Sequence, residues 1–200
     1  MRKLGLFFVL NRLKDIKIFT TADFQRIFNL NYQAAKKAIY RYKKTGVFTE
    51  AKKGLYFLTQ NSPPEFEIAN RVYCPSYVSF ETALSFYGVI PESIYEVISA
   101  TPKISRNFII NDLVFSYKKI KRDYFFGYIT ERIQERTILI AEPEKALLDY
   151  LYFVILKRRS FTYERINLQK KIKKQKLFRY ARIFNNRNLL KLLTNLYAQF

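Results

Sequence analysis

Residues 31–44, NYQAAKKAIYRYKK, constrain the fold more than any other stretch of the chain. Ala35, Ala38, Ile39 and Tyr42 recur at steps of three and four residues, so they share one face of a predicted α-helix. The opposite face and its flanks carry polar and cationic side chains, mostly Gln, Lys, Tyr and Arg. Such a helix can pack on a small core through its apolar stripe and present its other side to DNA, although an ordinary solvated helix has the same pattern.

The neighbouring segments favour the DNA-binding interpretation. Apolar residues within Leu4–Leu13 predict a first helix, and Thr20 or Thr21 can cap a second one that ends before Asn29. Asn29 and Asn31 supply the turn, and the helix Tyr32–Lys44 follows as the third. The last two helices are thus joined by a tight turn, as in a helix-turn-helix.

After the third helix, Gly46 stands where a left-handed helix end is expected. Residues 47–58 then read as two short strands around a turn at Lys52-Lys53-Gly54. Three helices followed by a β-hairpin is the element order of a winged helix-turn-helix. The sequence therefore predicts such a domain in residues 1–60.

In that architecture the third helix enters the major groove and the hairpin turn contacts the backbone or the minor groove. Gln can pair with adenine and Lys with guanine, whereas Arg41, Lys43 and Lys44 are expected to hold phosphates. A role of the same domain in protein docking stays open. The predicted DNA-binding residues are Tyr32, Gln33, Lys36, Lys37, Tyr40, Arg41, Lys44, Lys52 and Lys53.

The charge of the chain is large and unevenly distributed. Its 36 basic and 16 acidic residues give a net charge of +20. Residues 1–60 carry +10, residues 61–156 carry −2 and residues 157–200 carry +12. A near-neutral middle between two basic ends predicts two segments that face a polyanion such as nucleic acid.

Composition also excludes several classes of site. Cys74 is the single cysteine and there is no histidine, so an intrachain disulfide and a zinc site of the usual ligands are excluded. We expect no cofactor and no metal, and a reducing cytoplasm fits the cysteine usage. The apolar runs near the start and at Leu147–Leu156 are too short to span a bilayer, which predicts a cytoplasmic protein without a membrane partner.

Residues 61–200 predict an α+β domain that starts after the break at Asn61–Pro64. Ser79 can cap a helix that Gly88 ends, and a buried helix begins with Pro143 in its first turn. Between these helices, alternating patterns predict strands at 95–100, 108–117, 125–128 and 137–140.

From residue 157 onward the chain predicts a basic helical tail. Its cationic face is a solvated surface, a further DNA or RNA contact, or a dock for an acidic partner or a membrane. The residues of this second basic surface are Lys170, Lys173, Lys174, Lys176, Arg179 and Arg182.

Four segments, at 75–92, 99–108, 115–128 and 139–152, resemble successive blocks of the AbiEi family of antitoxins, and residues 178–193 resemble its tail. The resemblance implies an antitoxin that represses its own operon and counteracts a nucleotidyltransferase toxin in abortive infection. It assigns repression to an N-terminal DNA-binding domain and neutralisation to the C-terminal region, and it carries no catalytic residues. Residues 170–176 of this chain are more basic than we expect for the tail of the family, and a role of this segment in DNA contacts stays open.

Two alternatives remain. One is a non-enzymatic or RNA-binding neutraliser in which DNA binding is secondary. The other is a metal-dependent nuclease that uses Asp112, Glu142, Glu144 and Lys145. The required acid–x–Lys spacing fails because Lys145 directly follows Glu144, so we expect no enzyme. Glu142 and Glu144 instead suit the positive end of the helix that starts there.

Overall fold

The computed structural model describes residues 5–91, 95–133, 136–157, 166–168 and 171–198. It is a mixed α+β protein, which confirms the fold class expected from the sequence at this level. The chain divides into two compact units, Met1–Ile68 and Ala69–Phe200. The division lies within the helix Glu65–Val72, past the Asn61–Pro64 break at which the sequence places it.

The described part of the first unit combines three helices with a three-stranded sheet. The strands are antiparallel in the order β1-β3-β2, so a short strand before the second helix pairs with the far strand of the hairpin. The predicted helices and hairpin are confirmed, but β1 is too short for alternation to reveal it. The elements are α1 (Leu6–Leu13), β1 (Ile18–Thr20), α2 (Thr21–Phe28), α3 (Tyr32–Lys44), β2 (Phe48–Lys52) and β3 (Leu55–Leu58).

Side-chain caps fix the starts of α2 and α3. The Thr20 hydroxyl accepts from the Asp23 amide at 3.1 Å, and the Asp23 carboxylate accepts from the Thr20 amide at 2.9 Å. Hydrogen bonds from Thr20, with help from Arg26, hold the pKa of Asp23 below its usual value. The Asn31 side chain accepts from the Ala34 amide at 2.9 Å and so starts α3.

Aromatic rings form much of the first unit's core. Phe19 lies 5.1 Å from Phe48 and 6.0 Å from Phe24, measured between ring centroids. Ala35 and Ala38 are buried on the inner face of α3, where their small side chains let the helix backbone approach these rings. This packing fixes which face of α3 points outward.

The described second unit contains a six-stranded sheet in the order β6-β7-β5-β4-β9-β8, in which β5–β7 and β4–β9 are parallel pairs. Helix α6 is buried over most of its length and packs on α5, α7 and α8. The elements from the division onward are α4 (Glu65–Val72), β4 (Tyr77–Val78), α5 (Phe80–Phe86), β5 (Glu96–Thr101), β6 (Arg106–Ile110), β7 (Leu113–Lys119), β8 (Tyr128–Ile133), β9 (Arg136–Ala141), α6 (Pro143–Ile155), α7 (Lys174–Ile183) and α8 (Arg187–Ala198).

Two strand predictions are corrected. The segment 108–117 is a hairpin rather than one strand, because Asn111 and Asp112 adopt φ angles of 48° and 64° and turn the chain between β6 and β7. The segment 125–128 is mostly loop, and β8 begins at Tyr128, directly after Gly127 with φ 68°. Asn and Asp tolerate left-handed conformations, which makes the first turn recognisable in retrospect.

Ser79 precedes α5 as expected, but its hydroxyl does not cap the helix. It donates instead to Asp149 Oδ2 in the buried face of α6, at 2.8 Å. From Lys174 onward the predicted tail helices are confirmed as α7 and α8, with Leu177, Ala181 and Phe184 buried. Residues 158–165, 169 and 170 of the predicted tail lie outside the described residues. Within the described residues, no helix combines the length and apolar character needed to cross a bilayer.

Candidate nucleic-acid interface

The outer face of α3 is polar, cationic and accessible. Tyr32 and Tyr40 are 53% and 68% exposed, while Ala34, Ala35 and Ile39 are buried on the inner face. Among the residues predicted to contact DNA, those of α3 that are exposed are Tyr32, Gln33, Lys36, Lys37, Tyr40 and Lys44. The structure therefore brings six predicted residues together on one helix.

Ring contacts organise two of the cations. The Lys36 ammonium lies 5.3 Å from the centroid of the Tyr32 ring, and the Arg41 guanidinium lies 4.8 Å from that of Tyr42. Arg41 is half-buried, unlike its neighbours on the outer face. Cation–π contacts of this kind leave the positive charge able to interact with a phosphate.

Lys43, expected to hold a phosphate, instead forms an ion pair with Glu50 of β2. The Glu50 carboxylate also accepts from the Gly54 amide at 3.3 Å, so it links α3 to the hairpin turn. Burial raises the pKa of Glu50, but the hydrogen bonds from Lys43 and Gly54 outweigh it and the pKa lies below its usual value. The sequence contains no signal for this pair, because the partners belong to different elements.

The hairpin turn presents one predicted residue to solvent. Lys53 is exposed at the turn, where Gly54 adopts φ 83°, whereas Lys52 is half-buried at the end of β2. Between α3 and the hairpin lies an open depression of about 150 Å³. It is lined by Thr21, Lys36, Ile39, Tyr40, Lys43 and Tyr56.

The second basic surface is more divided than its sequence indicates. Lys173, Lys174, Arg179 and Arg182 are exposed, and Lys170 lies outside the described residues. Lys176 is half-buried: its ammonium lies 2.5 Å from Glu142 Oε1 and 3.7 Å from Glu144 Oε2.

Glu142 lies at the start of α6, as expected from the sequence, and its carboxylate also makes contacts that the sequence does not indicate. Its carboxylate accepts from the Tyr180 hydroxyl at 2.6 Å as well as from Lys176, so it ties α7 to the start of α6. Burial raises the pKa of Glu142, but these two hydrogen bonds outweigh it and the pKa is lowered. Burial and the bond to Glu142 raise the pKa of Tyr180 to about 12.

Of the residues considered for a nuclease site, Glu142 and Glu144 share the ammonium of Lys176, and the other two have different surroundings. Asp112 is exposed in the β6–β7 turn, Glu144 accepts from the Lys173 amide at 2.9 Å, and Lys145 pairs with Asp149. Within the described ranges, no three acidic, Cys or His side chains cluster as metal ligands would. The geometry thus assigns Glu144 and Lys145 to contacts within the fold.

Comparison with known proteins adds no family to these observations: the chain matches no protein-family model and no curated protein.

Proposed function

We propose that this protein is a DNA-binding repressor whose first unit acts as a winged helix-turn-helix. The observation that carries the proposal is the division of α3 into an inner face of Ala34, Ala35 and Ala38 and an outer face of exposed Gln, Lys and Tyr. An isolated solvated helix needs no buried alanine stripe, whereas a helix that must protrude into a groove benefits from close packing on its core.

The charge of the first unit supports the same role. Segment 1–60 contains 13 basic residues and three acidic ones. Two of these acids form ion pairs, Asp23 with Arg26 and Glu50 with Lys43. Lys36, Lys37 and Lys44 on the outer face of α3 belong to neither of these two pairs. Gln33 and Lys37 are proposed to contact base edges, with Lys36, Arg41, Lys44, Lys52 and Lys53 on phosphates.

The variant Gln33→Ala with Lys37→Ala tests the recognition helix. Binding to the DNA upstream of the protein's own gene should weaken, and its preference over random DNA should fall, by about 1–3 kcal/mol for each base that is no longer read. Fluorescence anisotropy measures both. The matched control is Lys14→Ala with Gln60→Ala, which removes the same residue types from exposed positions outside α3. An unchanged sequence preference in a folded recognition variant would overturn the assignment.

The resemblance to AbiEi antitoxins extends the proposal to a partner. We infer that the protein counteracts a nucleotidyltransferase toxin and represses the operon that encodes both. The recognition variant separates the two roles in the full-length chain: co-expressed with the toxin, it should still restore growth while a reporter of its own promoter is derepressed. Failure to restore growth in a folded variant would mean that neutralisation depends on DNA binding.

A further inference from the structure

The tail helices carry a concentration of positive charge that the proposed function does not use. From Lys171 to Ala198 the sequence contains eight Lys or Arg residues and no Asp or Glu. Two carboxylates of the α6 start, Glu142 and Glu144, engage the side chain of Lys176 and the amide of Lys173. We define the α7–α8 surface by its exposed cations, Lys173, Lys174, Arg179, Arg182, Arg187 and Lys191.

Part of this surface is concave and held in place. An open depression of about 490 Å³ is lined by Lys173, Gln175, Lys176 and Arg179. Its three cations recur every three positions, so they project from neighbouring turns at the start of α7. Glu142 accepts from Lys176, one of the lining residues, which limits the freedom that this side chain would lose on binding a ligand.

The surface lacks the features of a protein or membrane contact. Within the described parts of α7 and α8, Ile183 is the large apolar residue that reaches 48% exposure, while the leucines at 189, 193 and 196 are buried in the fold. Protein interfaces depend on apolar and aromatic anchors at their centre, and membrane-surface helices need a free bulky apolar face. A strongly charged ligand that needs no apolar anchor fits this surface better than a protein or a membrane does.

The aromatic rings argue against a single-stranded ligand. Binding of single strands uses exposed rings on which bases stack. Here the Tyr197 ring has the Lys174 ammonium 5.0 Å from its centroid, and the Tyr180 ring has Lys176 at 5.6 Å and Arg179 at 5.8 Å. These rings are occupied by the protein's own cations, so the surface offers charge rather than stacking.

We propose that the α7–α8 surface binds the phosphate backbone of a nucleic-acid duplex without reading its sequence. This contact does not depend on the proposed base recognition by α3, because phosphate neutralisation alone suffices for non-specific binding. In the full chain it adds affinity for any duplex. It therefore shortens the search for a specific site.

The test uses the full chain carrying Arg179→Gln and Arg182→Gln, two exposed positions of α7. Anisotropy titrations of a short random-sequence DNA duplex should show affinity reduced about tenfold or more at about 0.1 M salt. The slope of log affinity against log salt should become shallower by roughly 1.8, about 0.9 for each phosphate that is no longer neutralised. The charge-matched control, Arg71→Gln with Lys119→Gln, removes two exposed cations outside α7 and α8 and should bind like the wild type.

An RNA duplex of equal length distinguishes the two sources of a phosphate backbone. Equal losses of affinity with both duplexes identify the shared backbone as ligand, and a loss with one duplex assigns the surface to that form. Wild-type affinity of the Arg179→Gln, Arg182→Gln variant for both duplexes would overturn the proposal. An equal loss of affinity in the control variant would also overturn it. Single-stranded DNA and polyglutamate are titrated as further probes, and a loss of affinity that is limited to either of them would overturn the proposal as well.

The same titrations separate this inference from the proposed function. If Gln33→Ala with Lys37→Ala leaves operator preference unchanged while Arg179→Gln with Arg182→Gln weakens random-duplex binding, base recognition by α3 fails and the α7–α8 contact stands. The opposite pattern rejects the α7–α8 contact and leaves the recognition helix supported.

Discussion

At the scale of single residues, the buried ion pair of α6 is the feature that the sequence conceals most completely. Lys145 and Asp149 lie one helical turn apart, and both side chains are fully buried. Asp149 Oδ2 also accepts from the Tyr77 hydroxyl at 3.1 Å and from Ser79 at 2.8 Å. Burial lowers the pKa of Lys145 and raises that of Asp149, and each partner opposes the effect on the other.

Removing one partner of this pair should lower the free energy of unfolding more than removing both charges does. Lys145→Met leaves a buried carboxylate without its cation, and the free energy of unfolding should fall by about 3–5 kcal/mol. Adding Asp149→Asn should recover part of that decrease, since the amide oxygen can still accept from Tyr77 and Ser79. Urea denaturation of wild type, both single variants and the double variant measures the coupling. Strictly additive effects would show that the two charges do not stabilise each other.

Glu142 should make stability depend on acid pH. Because its native pKa lies below the ordinary value of 4.5, its contacts stabilise the fold above that pH, and the contribution disappears as pH falls through the native pKa. Glu142→Gln should therefore be less stable than wild type near pH 7, and the difference should shrink near pH 3.

Urea denaturation at the two pH values measures the Glu142 effect. Glu65→Gln, which removes an exposed carboxylate from α4, is the control and should change stability little at either pH. A stability difference between Glu142→Gln and wild type that stays constant from pH 7 to pH 3 would contradict the assignment.

At the scale of elements, the helices of the first unit follow from local chemistry. The apolar period of residues 31–44 and the left-handed Gly46 are visible in the sequence, and α3 has the predicted bounds, whereas the capping role of the Asn31 side chain appears only in the structure. Elements that are very short, or that depend on residues distant in the chain, cannot be predicted from the sequence. β1 depends on pairing with β3, and the split of segment 108–117 depends on the φ angles of its two turn residues.

The cap of α3 leads to a prediction at this scale. Asn31→Ala should lower the free energy of unfolding of the first unit by about 1 kcal/mol, because the Ala34 amide is deprived of its acceptor. Asn31→Gly should cost only about a few tenths of a kcal/mol. Thermal denaturation followed by circular dichroism compares the two. Equal destabilisation by Ala and Gly would point to a stabilising role of the Asn31 side chain other than the cap.

At the scale of the whole molecule, the charge of +20 opposes compactness while it favours polyanions. Raising sodium chloride from about 0.05 M to about 0.5 M should raise the melting temperature, because the Debye length shortens and self-repulsion is screened. The same change should weaken binding to DNA. A melting temperature that falls over this salt range would show that attractive pairs outweigh repulsion.

The sequence predicted the location of the candidate site better than its internal pairing. Charge and periodicity identified the outer face of α3 and the exposed residues of the tail. They did not separate Lys37, which is exposed, from Lys43 and Lys176, which form ion pairs with Glu50 and Glu142. That distinction requires the tertiary fold, since the partners are 7 and 34 positions apart in the sequence.

The pairing of β1 with β3 has a practical consequence for dissecting the protein. Ile18 and Thr20 lie opposite Phe57 and Leu55, so a polypeptide shortened to begin at α2 would leave one side of an apolar strand with unpaired amides and carbonyls. Unprotected edges of this kind recruit other chains into aggregates. A soluble fragment made for crystallisation or for binding studies must therefore keep the residues that come before α2.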